Sequence, residues 1–124
     1  MLASSRLQTL ICTAHPTAAE RFYSHVLGLT FRGKSHGALL YDVGGGDLRV
    51  SPVPSMQPSV HTVAGFAVAD LDQVMAALAA RGVVWERFPG FPHDAAGVLR
   101  TSEGARVAWF RDPDGNLLSL VQYA

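Results

Sequence analysis

The sequence has few of the features that mark secreted, membrane-bound or nucleic-acid-binding proteins. Cys12 is its only cysteine, so no disulfide can form within the chain and a reducing compartment is expected. Ten basic and ten acidic residues balance, and no basic cluster is present to attract nucleic acid or an anionic membrane. Residues 1–12 lack the long apolar run of a signal peptide. We therefore expect a cytoplasmic protein with no nucleic-acid or membrane partner.

Hydrophobic residues are plentiful but occur only in short runs. They make up 48% of the 124 residues, and charged residues make up 16%, a balance that suits one packed domain over residues 1–124. The most apolar segments, Val63–Ala69 and Val74–Ala80, are far shorter than the ~20 residues of a membrane-spanning helix. The composition therefore predicts a globular domain with a core of its own.

Both halves of the chain contain a strand followed by a helix. In the first half, residues 7–14 are apolar and β-branched, as in a strand, and Ala18–Leu27 carries apolar residues at helical spacing. In the second half, Val63–Ala69 predicts a strand, and Asp70 is a good N-cap for the helix after it. The two halves thus share one order of elements.

The spacing of the boundary residues supports an internal repeat. Asp70 follows His15, its counterpart at the end of the first strand, by 55 positions. Gly82, which would end the second helix, follows Gly28, which would end the first, by 54. Such agreement predicts two copies of one structural module.

Three further strands are predicted after each helix. Their bounds are Leu29–Arg32, Ala38–Val43 and Leu48–Val53 in the first module, and Val83–Arg87, Arg106–Phe110 and Asn116–Tyr123 in the second. The turns Gly44–Asp47 and Asp112–Gly115 would join the last two strands of each module. The proline-rich segment Ser51–Thr62 would link the modules, which span about 6–54 and 62–124. We expect an α+β fold in which two βαβββ modules form an open, curved mixed sheet, or half-barrel, around a cavity.

Three stretches carry a resemblance to a known family. They are ERFYSHVLGLTF at 20–31, VADLDQVMAALAARGV at 68–83 and AWFRDPDGNLLSLVQ at 108–122. In this order they resemble the vicinal oxygen chelate superfamily of glyoxalases, bleomycin resistance proteins and extradiol dioxygenases. The resemblance covers nearly the whole chain and implies the two-module fold. It also implies a homodimer, in some members formed by exchange of halves.

The resemblance also implies four ligand positions for a divalent metal. They fall on Gln8, on Val63, on Ser119 and on the strand Leu48–Val53, where Arg49 and Ser51 are the cavity-facing candidates. Valine cannot bind a metal, arginine stays protonated, and a neutral hydroxyl is a poor replacement for a carboxylate. Only Gln8 could serve, with His61 as a weak substitute for Val63. A metal is therefore possible but not favoured, and we expect no cofactor.

The same positions would suit a cavity for a small, partly apolar ligand. Our candidate lining residues are Gln8, Arg49, Ser51, His61, Trp109 and Ser119. Arg49 could bind an anionic group or be an exposed strand charge, and Trp109 could form a cavity wall or pack beneath the helices. The loop Pro89–Gly104 could select the ligand or be a surface loop with a short strand near Leu99.

Two functions remain open from the sequence. The first is a glyoxalase-like or bleomycin-resistance-like protein that binds a small molecule without the usual metal ligands. The alternative is a metal-dependent lyase, isomerase or dioxygenase of the glyoxalase class. No catalytic residue can be assigned. A partner-binding module with an unused cavity is a third hypothesis.

Overall fold

The computed structural model describes every residue from Met1 to Ala124. The chain folds into two compact units, Met1–Gln57 and Pro58–Ala124. The first unit contains β1 (Gln8–Thr13), α1 (Pro16–Arg21), β2 (Thr30–Ser35), β3 (Ala38–Val43) and β4 (Gly46–Pro52). The second contains β5 (Ala64–Ala67), α2 (Leu71–Ala79), β6 (Leu99–Arg100), β7 (Arg106–Arg111) and β8 (Leu117–Gln122). The predicted α+β class and the repeated βαβββ order are confirmed.

Each unit forms one four-stranded mixed sheet with the same topology. The strand order is β1-β4-β3-β2 in the first unit and β5-β8-β7-β6 in the second. The first strand of each unit pairs in parallel with the last, and the other pairs are antiparallel. Parallel neighbours need a crossover connection, which explains why a helix follows the first strand of each unit.

Side chains on one face of each sheet form the core of that unit. In the first sheet, Ile11, Tyr41 and Val50 are almost fully buried. In the second sheet, Phe110 and Leu118 are equally buried. Because side chains alternate along a strand, the residues between these positions lie on the opposite face, which we call the far face of each sheet.

The first helix differs from the prediction of one α-helix over Ala18–Leu27. The α-helical part is α1, which begins with Pro16, and it continues as a π-helical turn over Phe22–Val26. This wider turn buries Tyr23 and brings the Ser24 hydroxyl 2.8 Å from the Tyr41 hydroxyl. Packing against the sheet therefore sets the helix geometry at a point where spacing alone predicts a regular helix.

The second helix agrees with its sequence signals. The Asp70 side chain accepts a hydrogen bond from the Gln73 backbone N–H at 3.1 Å, as an N-cap does. Leu71, Met75 and Leu78 are its buried residues, spaced to form one face. Gly82 follows the helix with φ of 95°, in the left-handed region that favours glycine.

The predicted strand Val83–Arg87 is wrong. This segment is not a strand, and its contact with β7 is centred on Glu86. The Glu86 N–H donates to the Trp109 carbonyl at 2.8 Å, and the Glu86 carboxylate accepts from Arg111 Nε. The same edge of β7 is already paired with β6 through Val107, which leaves the segment no run of β7 residues with which to form a ladder. The short strand expected near Leu99 is β6, which takes the place of the third strand in the repeat.

Strand ends and turns follow local chemistry closely. The β3–β4 hairpin turns through Gly44 and Gly45, whose φ values of 56° and 84° match the positive φ that tight hairpins require. The β7–β8 connection is the predicted turn that ends at Gly115. No helix is both long and apolar enough to cross a membrane.

Candidate functional site

The far face of the first sheet carries three of the six candidate residues. Gln8 is opposite Asp47 in the β1–β4 ladder, Arg49 is opposite Leu10, and Ser51 is opposite Cys12. The ladder therefore places Gln8, Arg49 and Ser51 on one face. Cys12, which alternates with Leu10 and Gln8 along β1, is exposed on the same face.

Three arginines concentrate positive charge on this face. Arg6 binds the Asp47 carboxylate through Nε and also through Nη2 at 2.9 Å. Arg32 donates to the same carboxylate at 3.1 Å. The hydrogen bond from Arg6 lowers the pKa of Asp47 below its ordinary value, and the pKa of Arg6 is raised in return. Asp47 is therefore held as a carboxylate bound by two arginines.

A cavity of about 220 Å³ opens beside this cluster, lined by Gln8, Arg32, Leu40, Tyr41, Asp47, Leu48 and Arg49. Arg49 lies opposite Leu10 on one side and Leu40 on the other. Its Nη2 donates to the Ser35 carbonyl at 3.1 Å, which fixes the guanidinium and uses only one of its donors. The arrangement can bind an anion next to an apolar group.

The far face of the second sheet carries two further candidates. Trp109 and Ser119 are opposite one another in the β7–β8 ladder. Ser119 is in turn opposite Gly65 of β5. A Cβ added at position 65 would lie 2.8 Å from the Ser119 hydroxyl oxygen, so the glycine is what leaves room for that hydroxyl. Trp109 is half-buried and lies on this face, not beneath the helix.

The loop that contains Phe88, Phe91 and His93, which we call the aromatic loop, covers Trp109. The rings of Phe88 and His93 approach it edge-on, with centroids at 5.4 Å and 6.0 Å. His93 Nε2 accepts from the Phe88 N–H at 3.0 Å, and its Nδ1 is 2.8 Å from the Gly97 carbonyl. Since a carbonyl can only accept, Nδ1 is the donor in the contact with Gly97. Both nitrogens of His93 are thus engaged in holding the loop.

His61 lies outside the strand ladder of the second sheet. Alternation from Val63 would place His61 on the same strand face or at the end of the strand near the cavity rim, whereas β5 begins only at Ala64. His61 lies in the irregular segment before that strand, is exposed, and its backbone N–H donates to the Ser59 hydroxyl at 3.0 Å. Prolines in this segment disfavour extension of the strand.

Comparison with known proteins places the chain in a family. The family model of the glyoxalase/bleomycin resistance protein/dioxygenase superfamily matches residues 6–120. The chain belongs to this superfamily. No curated protein matches it significantly.

Several solved structures share the fold at low sequence identity. A glyoxalase/bleomycin resistance protein/dioxygenase from Alicyclobacillus acidocaldarius is 20% identical with a TM-score of 0.74, over 97% of this chain and 92% of that one. A lactoylglutathione lyase from Agrobacterium tumefaciens is 21% identical with a TM-score of 0.72, over 96% and 93%. TnmS3, an antibiotic binding protein from Streptomyces sp. CB03234, is 23% identical with a TM-score of 0.74, over 100% and 99%.

The structure shows what surrounds the positions at which the resemblance implies metal ligands. Gln8 shares its cavity with the guanidinium groups of Arg32 and Arg49, which repel a divalent cation. Asp47, the one carboxylate there, is already bound by arginines. In the second unit the equivalent positions are Val63 and Ser119. No group of three or more His, Cys, Asp or Glu side chains could hold a metal ion.

Sequence reasoning missed several residues of these surfaces. Arg6 continues the alternation of Gln8 and could have been found from it. Asp47 required the β1–β4 register, and Arg32 lies where the β2–β3 register shifts between Phe31 and Gly33, a bulge that no sequence pattern marked.

Proposed function

We propose that this superfamily member binds a small organic anion without a metal. The observation that carries the proposal is Arg49, held on the far face of the first sheet between Leu10 and Leu40 and beside the amide of Gln8. A guanidinium offers several donors in one plane to a carboxylate or phosphate. The flanking leucines would contact the apolar part of the same ligand.

The balance of charge supports an anion. Arg6, Arg32 and Arg49 face two carboxylates on this side of the sheet, Asp42 and Asp47, which leaves an excess of positive charge. Arg6 and Arg32 are committed to Asp47, so Arg49 is the arginine most available to a ligand. Ser51 would extend the polar edge of the site.

Titration calorimetry with benzoate, phenyl phosphate and the neutral control benzamide tests the proposal. The two anions should bind more tightly than benzamide. Arg49→Gln should weaken anion binding at least ~10-fold, because a hydrogen bond to a charged group contributes about 1.5–3 kcal/mol. Arg100→Gln, at an exposed position in β6, should leave binding unchanged. Equal affinities for wild type and Arg49→Gln would contradict the proposal.

Metal analysis separates binding from metal-dependent catalysis. Protein purified without a histidine tag should contain no stoichiometric nickel, zinc, iron or manganese. A metal present at one equivalent per chain would instead favour a lyase, isomerase or dioxygenase, with Gln8 among its ligands.

We also propose that the protein acts as a homodimer in the cytoplasm. The dimer is proposed from membership of the superfamily, and the compartment from the single cysteine of the sequence, since no disulfide can form within the chain. Light scattering after size exclusion should give twice the mass of the 13.2 kDa chain. A monomeric mass at micromolar concentration would contradict the dimer.

A further inference from the structure

Two polar groups on the far face of the second sheet have no partner within the chain. The indole N–H of Trp109 and the hydroxyl of Ser119 make no hydrogen bond, although the two residues face one another across β7 and β8. Half-buried polar groups of this kind usually bind water or a ligand. Together they offer one donor and one group that can donate or accept.

Glycine keeps the row beside these groups open. Gly65, Ser119 and Trp109 follow one another across three adjacent strands, so the row runs from no side chain to a hydroxyl to an indole. The row on one side is apolar, with Val121 opposite Val107, and the row on the other side has Arg111 opposite Leu117. A flat, apolar surface thus borders the two polar groups.

The aromatic loop gives this surface a preset wall. Phe88 and His93 contact Trp109 edge-on, and Phe91 packs against Phe88 with a centroid distance of 6.1 Å. Phe91 remains 58% exposed, which is unusual for a phenylalanine within an aromatic cluster. The two hydrogen bonds of His93 hold the wall in place before any ligand arrives.

We propose that the Gly65–Ser119–Trp109 row binds a planar aromatic ring that carries a carbonyl or hydroxyl oxygen. The indole N–H donates to the ligand oxygen, the serine hydroxyl hydrogen-bonds to it, and the ring packs on the valines and the loop aromatics. The row itself contains no charged side chain, and Arg111 in the adjacent row is paired with Glu86, so the row selects a neutral oxygen and not a carboxylate. This site is carried by the second unit alone and goes beyond the proposed anion site.

The experiment uses the indole N–H as its own reporter. The chain has two tryptophans, and Trp85→Phe leaves Trp109 as the single indole signal in a nitrogen–proton correlation spectrum, while a ring is kept against Phe110. Titration with 1-indanone should move this signal saturably. Indane, which has the same ring system without the oxygen, should bind more weakly.

Substitution of the hydroxyl identifies its role. Ser119→Ala should weaken 1-indanone binding about 2- to 12-fold, the fold-change for one neutral hydrogen bond, and leave indane binding unchanged. Gly65→Ala should have the same selective effect, because its methyl group displaces the hydroxyl. Ser102→Ala, in an exposed loop, is the matched control and should change neither.

Three results would overturn the inference. The first is the absence of a saturable shift of the Trp109 signal with 1-indanone. The second is an equal loss of both ligands in a folded Ser119→Ala variant. The third is loss of 1-indanone binding in Arg49→Gln, which should weaken only the organic anions. Failure of the anion site with retention of 1-indanone binding would instead refute the proposed function alone.

Discussion

Asp112 should be the side chain on which the β7–β8 turn depends most. Its Oδ1 accepts from the backbone N–H groups of Asp114 and Asn116, both at 2.9 Å, and its Oδ2 accepts from Asn116 Nδ2 at 2.8 Å. Asp112 and Asn116 are only 5% and 4% exposed. Asp112→Ala therefore leaves two buried donors of Asn116 without this acceptor.

The expected magnitude follows from those donors. Each buried donor left unsatisfied costs about 1–3 kcal/mol, so the loss of the acceptor for two donors in Asp112→Ala should lower the free energy of unfolding by about 2–6 kcal/mol. Asp112→Asn keeps one oxygen for the two backbone donors but sets an amide N–H₂ against Asn116 Nδ2, so about 1–2 kcal/mol should be lost. The order of stability should be wild type, Asp112→Asn, Asp112→Ala.

Urea unfolding followed by tryptophan fluorescence measures this order directly. The midpoints should fall while the slope stays constant, since the turn adds little to the surface exposed on unfolding. Glu103→Ala, at an exposed loop position, should remain within ~0.5 kcal/mol of wild type. The reasoning would be refuted if Asp112→Ala were equally close to wild type, or if Asp112→Asn were the less stable of the two.

Two further predictions concern single carboxylates. In a titration followed by carbon-detected NMR, the pKa of Asp47 should be below the usual value of ~3.9 and should rise in Arg6→Gln. The stabilisation by the Asp47–Arg6 pair is present above the unfolded-state pKa of Asp47 and is lost as the pH falls through the folded-state pKa. Asp47→Asn should therefore reduce the loss of protein stability at acidic pH. The same loss of stability at acidic pH in Asp47→Asn and in wild type would contradict this prediction. In urea unfolding, Asp70→Ala should lower the free energy of unfolding by about 1 kcal/mol, because the N-cap of α2 is lost. Gln73→Ala keeps the backbone donor and should have little effect. Equal losses of stability in the two variants would argue against capping by Asp70.

Local signals in the sequence were sufficient to predict the order of elements. Asp70 caps a helix, Gly82 has positive φ beyond its end, and the Gly44-Gly45 pair forms a hairpin, as each residue's own chemistry requires. The offset of about 55 residues then identified the repeat. These features depend on neighbours in sequence and can be read without knowledge of the fold.

The composition of the site depended on contacts that are distant in sequence. Arg6 and Asp47 are 41 residues apart and meet only because β1 pairs with β4 in one particular register. Arg32 reaches the same carboxylate from a bulge. The strand expected at Val83–Arg87 failed for a related reason, because its place at the edge of β7 is shared with β6. The alternation of side chains along a strand predicts which residues share a face of the sheet, but not which residues of other strands they contact.

The loop over Trp109 is held mainly by its own residues. His93 bonds to Phe88 and Gly97, and the Asp94 carboxylate accepts from the Val98 N–H at 2.9 Å, so every one of these bonds spans five residues or fewer. Because its hydrogen bonds are local, this loop can be replaced as a whole while the β7–β8 ladder keeps its register. Replacement of this loop of about ten residues could therefore change the ligand specificity of a related protein without a change in the sheet.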